Sequence, residues 1–305
     1  MPARRRNRRE KNKERQRRYP FVRYILLTAL VVFLVVLFSF GGRVFKGDRK
    51  LVMVIPSNEA ITISIFDPAI NEITSVSVPA TTEVDVSRNL GKWRIGSVWE
   101  LGENEKLGGR LLAETVIKNF YAPATSWFSE KGLAYIEASP VNILSAIFSP
   151  GDTNLNFMDR VHLALFSLKV KEFKKTSLDL TETTFLAATK LRDGQEGYTV
   201  SKSIPQRLLV LFSDDFLVKG GGKAFITNST GNPYFAKDLG KIIEVIGAKV
   251  VSVSNESEGD YDCVVVSSDK NIVQTIVTAF DCKYVKGGRE GEIEIRIGEQ
   301  FEKRF

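Results

Sequence analysis

The stretch KAFITNSTGNPYFAKDLGKIIEVIGAKVVSVSN, residues 223–255, decides the fold because its hydrophobic period changes twice. AFITN (224–228) is β-rich, NPYFAKDLGKIIEVIG (232–247) repeats its apolar residues at helical spacing, and KVVSVSN (249–255) returns to β character. Asn232 followed by Pro233 fits an N-cap with proline at the first helical position, and Gly247 fits the left-handed residue that ends a helix. Downstream, YDCVVVS (261–267) reads as a strand, NIVQTIVTAF (271–280) as a helix capped by Ser268 and Asp269, and EIEIRI (292–297) as a closing strand. This β-α-β-β-α-β order predicts a small ferredoxin-like α+β domain over 223–305, with Ile242, Val245, Ile272 and Ile276 facing the sheet.

Upstream, LVMVI (51–55), AITISIF (60–66) and EITSVSV (72–78) read as three strands separated by PSN and DPAIN turns. GGRLLAETVIKNFY (108–121) sets Leu111, Leu112, Val116 and Phe120 at helical spacing. In NFMDRVHLALFSLKVKEF (156–173), Val161, Leu165, Leu168 and Val170 are expected to form one apolar face. Residues 181–192 predict a further helix, and RLLVLF (207–212) reads as a strand or a buried helical turn. Together these give a mixed α/β layered domain over 50–216. Lys219, Gly220, Gly221, Gly222 and Lys223 read as a linker between the two domains. A phosphate-binding loop would need a Gly at 217 and a Ser or Thr at 224, where this chain has Leu217 and Ala224.

YILLTALVVFLVVLFSFGG (24–42) carries no charge and is apolar on every side. At about 1.5 Å per residue it matches a hydrocarbon core of about 30 Å, so one transmembrane helix is expected. Its bulky end, Phe38 to Arg43, lacks a signal-peptidase pattern, which implies an uncleaved anchor. The first eighteen residues hold ten basic and two acidic side chains. Removing those ten and Arg23 from the 43 Lys and Arg leaves 32 basic against 34 acidic residues from Tyr24 onward, so the excess charge belongs to the tail. A basic tail (1–23) beside the first span is retained in the cytoplasm, which puts the bulk of the chain outside. The predicted location is the cell membrane, single-pass, with the lipid bilayer as partner. The arginines lack interleaved aromatics, so no nucleic acid is expected.

Few residues suggest chemistry. One His and two Cys argue against zinc or iron–sulfur sites, and no metal or cofactor is expected. His162 has no Ser or Cys at motif spacing to activate. Ser267 to Lys270 matches S-x-x-K, yet helix capping explains the same residues. Asp214 and Asp215 read as solvated acids, and Asn228 and Asn255 head glycosylation sequons that otherwise read as loop residues. In a ferredoxin-like order Cys263 and Cys282 would be held apart by an intervening strand, so free thiols are expected. The turn Asn228, Thr230, Gly231 and Asn232, with helix N–H groups behind it, is the candidate binding turn.

The C-terminal part resembles the LytR C-terminal domain in its FITN strand, NSTG turn, IGAKVVSVSN and IEIRIGEQF. NEAITISIFDPAINEITSVSVPATTEV and GGRLLAETVIKNFYAP are similar to the strand pair and Gly-Gly helix of the LytR-CpsA-Psr domain. That family's layout is also a cytoplasmic tail, one span and an external body. The resemblance implies a phosphotransferase that attaches glycopolymers from polyprenyl pyrophosphate to the cell wall. The family's turn reads Pro-Arg-Asp, however, and here Pro79 is followed by Ala80 and Thr81. Its paired-arginine strand has no counterpart between Glu130 and Phe157, and only Glu59 stands where an acidic ligand could. Pyrophosphate transfer needs cations on the phosphates, so the resemblance implies a degenerate, non-catalytic member that binds a wall polymer or envelope partner. An active enzyme would need a rearranged set such as Arg88, Arg94, Arg110 and Arg160 converging with Glu59 on one cleft.

Overall fold

The computed structural model describes residues 23–29, 44–45, 47–201 and 203–305. The chain divides into two units, Met1–Arg43 and Val44–Phe305. In the first, residues 23–29 are helical; the basic tail before Arg23 and the expected span from residue 30 onward lie outside the described residues. Among the described residues no helix is long and apolar enough to cross a membrane.

The second unit opens with the three expected strands, β1 (Leu51–Pro56), β2 (Ala60–Asp67) and β3 (Glu72–Pro79), as an antiparallel meander. Next come β4 (Thr82–Val86), β5 (Gly91–Arg94), α1 (Val98–Asn104) and α2 (Arg110–Phe120). β6 (Ser126–Trp127), α3 (Leu133–Glu137), α4 (Pro140–Phe148), α5 (Phe157–Lys169) and β7 (Lys175–Asp179) follow. β8 (Leu186–Lys190), β9 (Glu196–Val200), α6 (Gln206–Phe212) and α7 (Asp215–Lys219) complete this half.

The main sheet has the order β6-β1-β2-β3-β7 and is buried on both faces. Because strand side chains alternate, Val52 and Val54 enter one core with Leu111, Leu112, Val116 and Phe120 of α2. Leu51, Met53 and Ile55 enter a second core against α3, α4 and α5. The result is an α/β sandwich.

Two expectations in this half are corrected, and one left open is resolved. Residues 181–192 are not a helix; β8 and β9 form a hairpin whose turn carries Asp193 and Gly194, the latter at φ +82°. Asp-Gly between apolar segments is a hairpin signal that outweighs the weak helical spacing of LAATK. On α5, Leu165 and Leu168 are exposed while Leu163, Ala164 and Ser167 are buried, so the helix turns a different face inward. RLLVLF resolves as helix α6.

The C-terminal half runs β10 (Lys223–Ser229), α8 (Pro233–Ile246), β11 (Lys249–Asn255), β12 (Cys263–Ser267), α9 (Lys270–Ala279), β13 (Lys283–Lys286), β14 (Glu292–Gly298) and α10 (Glu299–Arg304). The caps are as expected: Asn232 accepts from Tyr234 N, Asp269 accepts from Asn271 N, and Gly247 sits at φ +113°. Ile242, Val245 and Ile276 are buried and Ile272 packs at the core edge.

The ferredoxin-like order is not what forms. The sheet is β11-β10-β14-β12-β13, with β10 parallel to β11, β12 parallel to β13, and β14 inserted between β10 and β12. Each β-α-β crossover closes on its neighbour instead of leaving a gap, and β13, short and lysine-rich, is the strand the periodicity missed. That strand also corrects the cysteines. Cys263 opens β12 and Cys282 directly precedes β13, so parallel pairing brings their Cα atoms to 4.8 Å and they form a disulfide.

The glycine run is a packed turn, not a free linker. Gly220 N donates to Phe216 O, Gly221 adopts φ +60°, and a Cβ on Gly222 would lie 2.9 Å from Ile293 Cδ1. α6 and α7 lie against α8 and α9, and residues from both halves share the first core.

Candidate functional site

α2 is amphipathic, yet its buried face carries Glu114 among Leu111, Leu112, Val116 and Ile117. A buried carboxylate requires partners. Arg88, held at φ +65° in the turn after β4, donates through Nε and Nη2 to both oxygens of Glu114 at 2.8 and 2.9 Å. Arg110, one turn back on α2, donates from Nε to Glu114 at 2.8 Å and from Nη2 to Asp281 at 2.8 Å. The Glu114 side chain is 7% exposed, against 23% for Arg88 and 34% for Arg110. Burial works to lower the Arg110 pKa, but the hydrogen bond to Glu114 and the charges of Glu114 and Asp281 outweigh it and hold the guanidinium above its ordinary value.

Three of these side chains, Arg110, Glu114 and Asp281, border a cleft of about 400 Å³ between α2 and the end of α9, with Arg88 behind Glu114 and outside the lining. Trp127, Asn154, Thr278 and Cys282 supply the rest of its character, a mix of ring, amide, hydroxyl and sulfur. Two guanidiniums face two carboxylates, so the cluster is charge-balanced. Chemically it offers hydrogen bonds and apolar contact, and no unpaired cation.

The other residues marked in the sequence are dispersed. Arg94 pairs with Asp193 and Gln195 at the edge of the small β5-β4-β9-β8 sheet. Arg160 lies on α5, its guanidinium carbon 5.8 Å from the Phe157 ring. Only Arg88 and Arg110 of the proposed set share a partner. Glu59 is exposed in the β1–β2 turn, and its carbonyl accepts from Ala80 N at 3.0 Å, so the turn following β3 does sit beside it. Ala80 abuts Gly96: a Cβ placed on Gly96 would come within 2.7 Å of the Ala80 Cβ. Among the described residues no three His, Cys, Asp or Glu side chains gather in a way that could hold a metal ion. His162 Nδ1 lies 2.8 Å from Met158 O within α5.

Asp214 is not a solvated acid. It is 4% exposed, caps α7 by accepting from Phe216 N and Leu217 N, and accepts a short hydrogen bond from Thr275 Oγ1 of α9. The candidate turn after β10 is closed on itself. Asn228 Oδ1 accepts from Thr230 N and Oγ1, while its Nδ2 donates to Asn232 O at 3.0 Å and to Asn255 Oδ1 at 2.7 Å. Gly231 takes φ +81°, and Asn232 Nδ2 donates to Glu302. Asn228 is 2% exposed, which leaves no room for a glycan on it.

Glu114 and Asp281 were missed in the sequence. The signal for Glu114 was available: an acid on an otherwise apolar helix face, four residues after an arginine. Asp281 had none, because β13 had not been recognised.

No protein-family model matches the sequence, and no curated protein does. Solved structures do show likeness. Bacillus subtilis TagT is 12% identical over 53% of this chain and 88% of its own, with a TM-score of 0.38. TagV from the same organism is 11% identical over 52% of this chain and 92% of its own, with a TM-score of 0.37. The LytR-CPS2A-psr family protein YwtF (TagT) with bound octaprenyl pyrophosphate lipid is 11% identical over 52% of this chain and 87% of its own, at 0.38. Over about half its length, then, the chain is similar at low identity to solved LytR-CPS2A-Psr family structures.

Proposed function

We propose that this is a single-span cell-envelope protein of LytR-CpsA-Psr type, cytoplasmic at its N-terminus and external in bulk. Its α/β half (50–216) acts as a scaffold, and its C-terminal half (223–305) is a binding module for wall polymer or an envelope partner. One observation carries the non-catalytic part. The two arginines that could replace the absent Pro-Arg-Asp arginine are committed to the buried Glu114, within a cluster whose charges cancel. A pyrophosphate transferred in such a place would meet no uncompensated positive charge. The disulfide supports an exported location, since thiols persist reduced in the cytosol.

The test is transfer by the full-length protein in liposomes, with Mg²⁺, a polyprenyl-pyrophosphate glycan and peptidoglycan. No polyprenyl phosphate should appear. Release that is lost in Arg110→Ala would overturn the reading in favour of a glycopolymer transferase. Protease added to spheroplasts tests location separately, because an external body is cut and a cytoplasmic one is spared.

A further inference from the structure

The face of the C-terminal sheet turned away from its helices holds a cleft of about 610 Å³, a size typical of small-ligand sites. Strand pairing sets Thr227 of β10, Arg296 of β14 and Val264 of β12 side by side in one row, with Glu294 one row along. Strand side chains alternate, so these residues point opposite to the buried Ala224, Ile226, Val265 and Ile295. Residues 256–262 wall the cleft and are tied to the strand ends. Glu256 N donates to Asn228 O, Gly259 N to Ser229 O and Gly298 N to Asp262 O, all at 2.8–2.9 Å. Tyr261 lies against Gly259, where a Cβ would stand 2.5 Å from its Cε1, and its hydroxyl donates to Ser229 Oγ at 3.0 Å. Glu258 lies over Gly231, where a Cβ would meet its Oε1 at 2.6 Å, so the NSTG turn shapes the wall of the cleft. The walls are therefore set before any ligand arrives.

The lining selects among ligands. Thr227, Ser257 and Arg296 donate hydrogen bonds, and Glu256, Glu258 and Glu294 accept them. One positive charge faces three negative ones, and that one is already paired, Arg296 Nε donating to Glu294 Oε1 at 2.8 Å. Neither Glu256 nor Glu258 has an ion pair among the described residues. A phosphate-bearing polymer meets repulsion here. Among the described residues no carboxylates gather closely enough to hold a metal ion. A cationic ligand would satisfy the acceptors and leave the donors unused. An uncharged sugar satisfies both sets, because each of its hydroxyls donates and accepts, and its C–H faces can pack on Tyr261 and Val264.

We propose that this cleft binds an uncharged glycan chain and rejects polyanionic polymer. The proposal rests on the binding-module reading above and deepens it by naming the class of ligand and the face that takes it.

The experiment titrates the full chain in phosphatidylcholine nanodiscs with chitotetraose, an uncharged N-acetylglucosamine chain, with poly(glycerol phosphate) as the anionic probe and pentalysine as the cationic one. Chitotetraose should bind more tightly than either. Thr227→Val or Arg296→Ala should weaken it by about tenfold, the effect of one lost hydrogen bond, at unchanged Tm, while Lys237→Ala on α8 leaves it unaltered. Chitotetraose that fails to bind, or that binds the two variants as well as the parent, overturns the proposal. Tighter binding of either charged probe overturns it as well. Isolated cell-wall sacculi separate this failure from that of the broader reading. A chain that sediments with sacculi but ignores chitotetraose overturns the cleft alone, whereas one that neither sediments nor binds any probe overturns the binding module too.

Discussion

Glu114→Ala removes the one carboxylate that two guanidiniums share inside the α2 interface. Three hydrogen bonds of 2.8–2.9 Å are lost, and Arg88, about three-quarters covered, keeps its charge without a partner. Breaking a buried pair by removing one member costs about 3–5 kcal/mol. The low end applies here, because Arg110 is one-third exposed and keeps Asp281. With about 2–4 °C of Tm per kcal/mol for a body of this size, a loss of about 3 kcal/mol lowers Tm by about 6–12 °C. Arg88→Met should cost less, since its stem still packs, and the pair should be non-additive by about 1–2 kcal/mol in a double-mutant cycle. Thermal unfolding of the detergent-solubilised chain measures all four corners. Glu114→Gln has a second readout: it leaves two guanidiniums with one carboxylate, so inorganic pyrophosphate should bind the variant more tightly than the parent. A cost for Glu114→Ala below about 1 kcal/mol, or strict additivity with Arg88→Met, would show that the cluster is solvated and refute the argument from committed arginines.

Reducing the disulfide, or replacing Cys263 and Cys282 by Ser, should cost about 3 kcal/mol from the loop that their 19-residue separation closes; an unchanged Tm with free thiols confirmed by mass would rule this out. Asp214→Ala removes a cap for two backbone N–H groups and strands Thr275, costing about 2–3 kcal/mol by urea unfolding, whereas Asp214→Asn should recover part of it. Tyr135 is buried, makes no hydrogen bond through its hydroxyl among the described residues, and has its pKa raised by desolvation above the phenol's ordinary value. A raised folded pKa stabilises the fold fully below the unfolded value of about 10 and loses that contribution as pH rises beyond it. Tyr135→Phe should therefore be neutral or slightly stabilising at pH 7 and flatten the alkaline fall in Tm; a loss above about 1 kcal/mol at pH 7 would reveal a partner for the hydroxyl.

What could be read from the sequence was what local rules control. The meander β1–β3 alternates apolar residues at period two, and α8 carries both its caps in Asn232 and Gly247, so each element was visible without its surroundings. What failed depended on partners far along the chain. KYVK becomes a strand only because β12 offers it an edge, and without that strand neither the sheet order nor the cysteine pairing could be derived. Leu165 and Leu168 fit an inward face as well as an outward one by spacing alone; the second core decides by filling with Leu163 and Ala164. Asp214 looked like a surface acid beside glycines because its partner Thr275 is 61 residues away.

The same long-range ties limit where the C-terminal half can meet a partner. Its helical side is partly covered: α6 and α7 pack on α8 and α9, Asp214 is bonded to Thr275, Arg49 donates to Asn271 O at 2.6 Å, and Arg110 reaches Asp281. Along β14, Ile293, Ile295 and Ile297 are buried and point to the helical side, so Glu292, Glu294 and Arg296 must point to the other face of the sheet. There a cleft of about 610 Å³ opens among Thr227, Ser229, Tyr261, Glu294 and Arg296. Of the polar groups at this end of the sheet, those of Asn228 and Thr230 are used up internally, while the side chains of Glu294 and Arg296 are 38% and 51% exposed. If the C-terminal half does bind, substitutions at Thr227, Glu294 and Arg296 should weaken binding without changing Tm. Substitutions at Asn228 or Thr230 should lower Tm first and affect binding only as a consequence, a difference that paired melting and pull-down measurements on the full chain resolve.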